Sequence, residues 1–521
     1  MHSLDTNTID KIDKSNFEAT SDYWVERIYN KIPIDYKERY KKIFKEDEET
    51  LYKHIRIVYK EILDKLKINT YDSLHDFNSS KIKTKLMKDF RICRLSRNKQ
   101  KRRWHAYVLD EVEAESTLKP KFILKELLEN IIEDKNAFIT KALEEIESWS
   151  QDNEQFILDF KYIHTMAPSQ RKSALNYDIK IFTYSILENV DTSLYPFIDN
   201  PSFLDTRSFT PPSKKRAKVD SLEIQSNDNE VKYILPSSNN KKQIIYSSTS
   251  NELGNHEEYF NNNKYLLTEC DLEDFKIIEY FISCRSLSFY RDKRIMAHEE
   301  DLLKFLNKPI NSQYRKWLGN KIDKLYHRSL LASHVDSDKK VTLELRLLSS
   351  KEIITYRNGN KKNAYIITFG DYIYSSLIKH DTNSVYREHF DELKELDGIS
   401  LIFVLQEHRI NLYNANIFRQ RYDYSFLAEY LHLSPSPTSK NLDIIKMCLD
   451  NYVKHKIIIA SYDIDEDDFI ITFIPLTEVE VKLLIKNKLA LKNMINIEIP
   501  LLEENNEDMF QEEQFIQQSL L

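Results

Sequence analysis

The stretch VTLELRLLSSKEIITYRNGNKKNAYIITF (residues 341–369) decides the fold class. In its first seven residues Val341, Leu343, Leu345 and Leu347 alternate with Thr342, Glu344 and Arg346, the period-two pattern of a strand with one buried face. EIITYR and AYIITF then flank Asn358-Gly359, a turn pair that marks a hairpin, and Asn360, Lys361 and Lys362 lengthen its loop beyond two residues. Sheet is expected here, with helical patterns on both sides.

Upstream, EDFKIIEYFISC, HEEDLLKFLNK and residues 312–331 read as helices. Downstream, a helix is expected over 383–396, ending at Gly398, then a second hairpin from ISLIFVLQ and RINLYNANIF, turning near Glu407-His408. NLDIIKMCLDNYVKHK reads as a helix, and KIIIASY and DFIITFI as strands. Asp463, Asp465 and Asp467 between them have the start of a calcium loop, but no glycine stands at its sixth position and its twelfth is Ile474, so a charged turn is expected. Thr477 and Glu480 form a capping box, with Leu476 and Val481 as its hydrophobic staple. Residues 253–500 therefore read as a mixed α/β domain and 501–521 as an acidic tail.

The N-terminal part reads differently. Residues 1–18 are polar and expected to be disordered. From 19 to 200 one helical pattern follows another: Trp24, Ile28 and Ile32 recur at four-residue spacing, and Pro120 sits ahead of an apolar face through Leu124, Leu128, Ile131 and Phe138. No glycine precedes Gly254, which removes a common helix terminator. Residues 201–252 are rich in Pro, Ser, Asn and charge, and read as a flexible linker that buries too little apolar surface to offset its ordering entropy. The expected class is α+β and multidomain. No internal repeat is evident.

With five glycines in 521 residues, no Walker A or G-x-G-x-x-G spacing occurs, which excludes P-loop and dinucleotide-binding chemistry. Cys93, Cys270, Cys284 and Cys448 are scattered, as buried thiols in a reducing compartment are, and no zinc or cofactor motif is present. The first residues lack a secretory apolar region, and no run approaches the roughly 18 apolar residues of a membrane span. The expected protein is intracellular, without membrane partner or cofactor.

Two basic segments stand out against a net charge of -7. In PPSKKRAKVD (211–220), Lys214, Lys215, Arg216 and Lys218 resemble a monopartite nuclear localisation signal: a non-helical peptide whose ammonium groups enter the slots of an import adaptor. In residues 81–103, eleven of 23 are basic and Asp89 is the one acid. Leu86, Phe90 and Cys93 lie on one helical face, leaving Lys85, Lys88, Arg91 and Arg94 to solvent; Arg97, Lys99, Lys101, Arg102 and Arg103 continue the charge, with Trp104 beside them. Lysines and arginines gain affinity by releasing counterions from phosphates, and Trp104 offers a stacking ring for DNA or RNA.

The expected order of elements over 312–405, αβββαβ, resembles the core of restriction-endonuclease-like folds. The resemblance implies a metal-binding acid on the second strand, where Glu352 stands, and an acid and lysine on the third, where AYIITF has neither. No complete catalytic motif results. The functional expectation is a nuclear, non-enzymatic interaction protein that meets an import adaptor, nucleic acid or other nuclear proteins; the alternative is a metal-dependent nuclease-like enzyme, or its inactive relative, in the C-terminal domain.

Overall fold

The computed structural model describes residues 6–75, 84–93, 140, 144 and 168–188, and 196–486 apart from 202–203, 205, 210–222, 228–229, 236–242, 248–255, 336–339, 356–362 and 394–395. The chain divides into two units, residues 16–193 and residues 1–15 with 194–521. It mixes helix and sheet as expected, with a helical N-terminal region and the described strands in the second unit.

The first unit is built from α1 (Thr6–Lys31, which begins in the other unit), α2 (Ile34–Phe44), α3 (Glu48–Leu66), α4 (Tyr71–His75), a helical stretch over 84–93, and α5 (Pro168–Glu188). Trp24, Ile28 and Ile32 are all buried, as their spacing predicts. The carboxylate of Asp47 accepts from the Thr50 amide at 2.9 Å and starts α3. α3 packs on α5, where His54 meets Asn176 at 2.6 Å. The expected disorder of residues 1–18 is not found from Thr6 onward, because α1 runs through Ile12, which is 1% exposed in the core of the second unit. Local polarity missed it: one apolar side chain gains a core only when the rest of the helix carries it there.

Strands also occupy part of the stretch expected to be a linker: β1 (Phe197–Pro201), β2 (Glu223–Asn227), β3 (Glu230–Leu235) and β4 (Gln243–Ser247). Tyr233, Leu235 and Ile245 bury against Phe260 of α6 (His256–Asn262) and the following Leu266 and Leu267. In β3, Val231, Tyr233 and Leu235 do alternate with Glu230 and Lys232, but the Pro, Ser and Asn on either side mark the stretch as a loop. The sheet continues through β6 (Arg328–Val335) and β7 (Lys340–Arg346) in the order β2-β3-β4-β6-β7, antiparallel throughout.

The remaining helices are α7 (Leu272–Ser283), α8 (Leu287–Asp292), α9 (Glu299–Phe305), α10 (Ser312–Tyr326), α11 (Asp371–Lys379), α12 (Arg387–Glu392), α13 (Leu396–Asn414), α14 (Tyr424–Tyr430) and α15 (Ser439–Lys454). Strands β5 (Arg294–His298), β8 (Leu348–Ile354) and β9 (Ala364–Phe369) form one sheet; β11 (Arg419–Tyr422), β12 (Ile459–Asp465) and β13 (Asp468–Phe473) form another; β10 (Thr382–Tyr386) pairs with β1. The expected hairpin of residues 352–369 is present as β8–β9, and the charged turn lies between β12 and β13. The Thr477–Glu480 capping box forms, and buried Arg409 holds the Glu480 carboxylate by two bonds of 2.9 and 3.1 Å. All four cysteines are buried thiols.

Three expected elements of the C-terminal part also change. Residues 328–331 leave the expected helix for β6. The expected helix 383–396 is instead β10 followed by α12. ISLIFVLQ and RINLYN form no hairpin but lie in α13, whose Ile399, Leu401, Ile402 and Leu405 are each 0% exposed. A short run that is apolar on every side suits a buried strand and a buried helix equally, and only its surroundings decide. The nuclease-like order is lost with these changes, since β7 and β8 belong to different sheets and 399–405 is helix. Gly370 marks the tightest crossing: a Cβ there would lie 1.8 Å from the carbonyl oxygen of Arg346.

Candidate nucleic-acid interface

Residues 272–369 and 396–473 share one order of elements and one sheet topology. Each runs helix, strand, helix, turn, helix, then two hairpin strands, and in each the first strand pairs with the last: β5-β9-β8 and β11-β13-β12. The first copy adds α8 and the β6–β7 strands. The equivalence extends to single residues. After α9 and α14 the chain turns through Asn307 and His432, both at φ 54°, and the amides of Lys308 and Leu433 close back on Leu303 and Ala428 at 2.9 and 2.8 Å. The next helices, α10 and α15, are capped by Asn311 and Thr438, each accepting from the amide three residues on.

The hairpins match as closely. β8 carries a register shift between Leu348 and Ser350, and β12 one between Ile459 and Ser461. Arg294 spans its sheet to Glu352 at 2.6 Å, and Arg419 to Asp463 at 2.7 Å. Asp323 of α10 meets Lys351 of β8; Asp450 of α15 accepts from Tyr462 of β12 at 2.7 Å. The last strands even share letters, Tyr365-Ile-Ile-Thr-Phe369 against Phe469-Ile-Ile-Thr-Phe473. The four shared residues, Ile-Ile-Thr-Phe, are too short a run to mark a repeat in the sequence. The helices differ too much for a repeat to register, and insertions in the first copy break the spacing.

Two helices joined by a tight turn, followed by a hairpin, have the connectivity of a helix-turn-helix with a β-hairpin wing. In such a unit the second helix is offered to a groove, so its seating and its outer face matter. α10 is seated by charge. Lys321 contacts the Asp271 carboxylate at 2.6 and 2.7 Å, and Lys324 pairs with Asp274, which is 0% exposed. Asp271 and Asp274 form the capping box of α7. Burial opposes ionisation of Asp274, but Lys321 and Lys324 outweigh it and hold its carboxyl below the ordinary range; burial and the neighbouring Asp274 push Asp271 up to about 6. Arg315 fixes the angle between α9 and α10 by reaching Glu299 at 2.6 Å and Glu300 at 3.0 Å. In the second copy Asn441 ties the start of α15 to Tyr424 of α14 at 3.0 Å.

The outer face of α10 presents Gln313 and Lys316, both exposed, and half-buried Asn320, at spacings of three and four residues. No side chain of the three makes a hydrogen bond or ion pair with another described residue. The face is polar, held rigid from behind, and unengaged.

None of the basic residues singled out from sequence belongs to α10 or α15. In the first unit Leu86, Phe90 and Cys93 are buried while Lys85, Lys88 and Arg91 are exposed, the division their spacing predicts, and Asp89 is paired with Lys65 at 3.0 Å. Arg94, Arg97, Lys99, Lys101, Arg102, Arg103 and Trp104 lie outside the described residues, as do Lys214, Lys215, Arg216 and Lys218 and the acidic tail. Glu352, the acid of the nuclease-like reading, serves the pair with Arg294 on the sheet surface. Among the described residues no group of three or more His, Cys, Asp or Glu is placed to hold a metal ion, and no helix is long and apolar enough to cross a membrane.

No family model matches the chain, and no curated protein matches it. Among the solved structures that match at a low level are two of RctB. Selenomethionine derivatives of domain 2 and domain 3 of RctB share 10% identity at a TM-score of 0.29, over 51% of this chain and 95% of that one. A structure of RctB domains 2-3 shares 11% identity at 0.26, over 52% and 96%. Scores this low carry no argument, and the reading below rests on the chain's own geometry.

Proposed function

We propose that this chain is a non-enzymatic, nuclear nucleic-acid-binding protein that holds double-stranded DNA with its two helix-turn-helix copies. One observation supports the reading above all: a firmly seated second helix whose exposed face carries Gln313 and Lys316 without internal partners. Amide and ammonium side chains of this kind pair with base edges in the major groove of B-form DNA, which admits a helix; the deep, narrow major groove of duplex RNA does not. Lys85, Lys88 and Arg91, with the basic residues that follow them, add phosphate contacts from the first unit. Lys214, Lys215, Arg216 and Lys218 supply the import address and bind the adaptor.

The test is fluorescence anisotropy of the full chain on random-sequence 30-bp DNA and RNA duplexes across 50–200 mM salt. DNA binding that weakens linearly on a logarithmic salt scale is expected, with a slope near -0.9 per phosphate neutralised. Lys316→Glu should weaken it, and charge reversal at Arg102 and Arg103 should make the slope shallower. Equal retention of DNA by the Lys316→Glu variant, or no preference for DNA over RNA, refutes the reading.

A further inference from the structure

The two copies agree wherever they build structure and differ where they face solvent. Counting from the shared caps Asn311 and Thr438, Gln313, Lys316 and Asn320 of α10 correspond to Lys440, Asp443 and Met447 of α15. The inner positions stay buried in both, as at Leu318 and Ile445, or Ile322 and Leu449. At the outer positions the chemistry changes kind. Lys316 becomes Asp443, a reversal of charge. Asn320 becomes Met447, which is 42% exposed and apolar. Gln313 becomes Lys440.

Resting on the DNA-binding reading, we infer that these six residues are specificity determinants and that the two copies read different base pairs, so that one chain recognises a duplex with two dissimilar half-sites. Amides of Gln and Asn match the adenine edge bidentately, and Lys donates to guanine. A carboxylate accepts from the cytosine amino group, and an apolar side chain meets the thymine methyl. α10 therefore favours a block rich in A and G on the contacted strand, whereas α15 favours G opposite Lys440 and C and T opposite Asp443 and Met447. Asp443 keeps the freedom to do so: its contact with Lys446 is 3.9 Å long, and its side chain is 70% exposed. The second hairpin points the same way. Asp463, Asp465, Glu466 and Asp467 crowd its tip, and Arg419 and Arg421 answer only part of that charge. The second copy thus contributes selectivity with little phosphate affinity, and the first supplies most of the binding strength.

Binding-site selection from a randomised DNA duplex library, followed by sequencing, tests this on the full chain. The unaltered protein should select two blocks of different sequence. Asp443→Lys should change the preference within one block only and tighten binding at low salt, because it replaces repulsion of the phosphates by attraction. Lys316→Asp should change the other block only. Thermal melting of each variant, at exposed positions, should match the unaltered chain. A palindromic selected site, both variants altering the same block, or unchanged preferences would mean that the outer faces have merely drifted, and would overturn the inference while leaving DNA binding in place. Failure of the unaltered chain to bind any duplex would overturn the underlying reading and this inference with it.

Discussion

Replacing Asp274 with alanine tests the seating of α10 most directly. Asp274 is fully buried, its carboxylate faces Lys324, which is 2% exposed, and it lies 3.3 Å from Lys321. Removing one member of a buried pair leaves an uncompensated charge and costs about 3–5 kcal/mol. Loss of the α7 capping box adds about 1 kcal/mol. The sum, roughly 4–6 kcal/mol, is a large part of the 5–15 kcal/mol that holds a typical domain. Urea unfolding of the full chain at pH 7 should show the loss in its midpoint. Asp274→Leu combined with Lys324→Met removes both charges and should recover part of it, since a buried pair is worth less than its half-deletion suggests. The pH dependence has a definite sign. Because the folded Asp274 carboxyl sits below its ordinary 3.8, its stabilisation is present above that value and is lost as pH falls through the folded one. Asp271, raised to about 6, acts oppositely and loses stability as pH rises from 3.8 toward 6. A loss under about 1 kcal/mol for Asp274→Ala, or a double variant less stable than the single one, would refute the argument that this pair anchors the helix.

Two further outcomes follow from single groups. Both carboxylate oxygens of buried Glu279 lack hydrogen-bond partners among the described residues, and burial, aided by Asp199, raises its pKa well above 4.5. Folding then takes up a proton and stability declines as pH rises above 4.5, so Glu279→Gln should stabilise by about 1 kcal/mol or more at pH 8 and less at pH 5; an equal effect at both values in urea titrations would contradict this. Replacing Lys214, Lys215 and Arg216 with alanine should leave a fluorescent fusion of the full chain in the cytoplasm, and continued nuclear accumulation would show that another segment carries the address.

The sequence by itself determined the mixed class, the helical N-terminal region, the β8–β9 hairpin and the Thr477 capping box. Each depends on neighbours within a few residues, where alternation, helical spacing and turn chemistry act. Tertiary structure decided the rest. Ile399 to Leu405 are apolar on every side, so their helix is set by the core around them. Ile12 finds its pocket through a helix that begins among polar residues. The likeness of the two segments is carried by backbone turns, caps and cross-strand ion pairs that constrain only a few scattered positions. Its faint trace in Tyr365–Phe369 and Phe469–Phe473 gains meaning only when both strands are seen at the same place in two sheets. The outer faces of α10 and α15 were unreadable for the same reason: which side chains point outward depends on what is buried behind them.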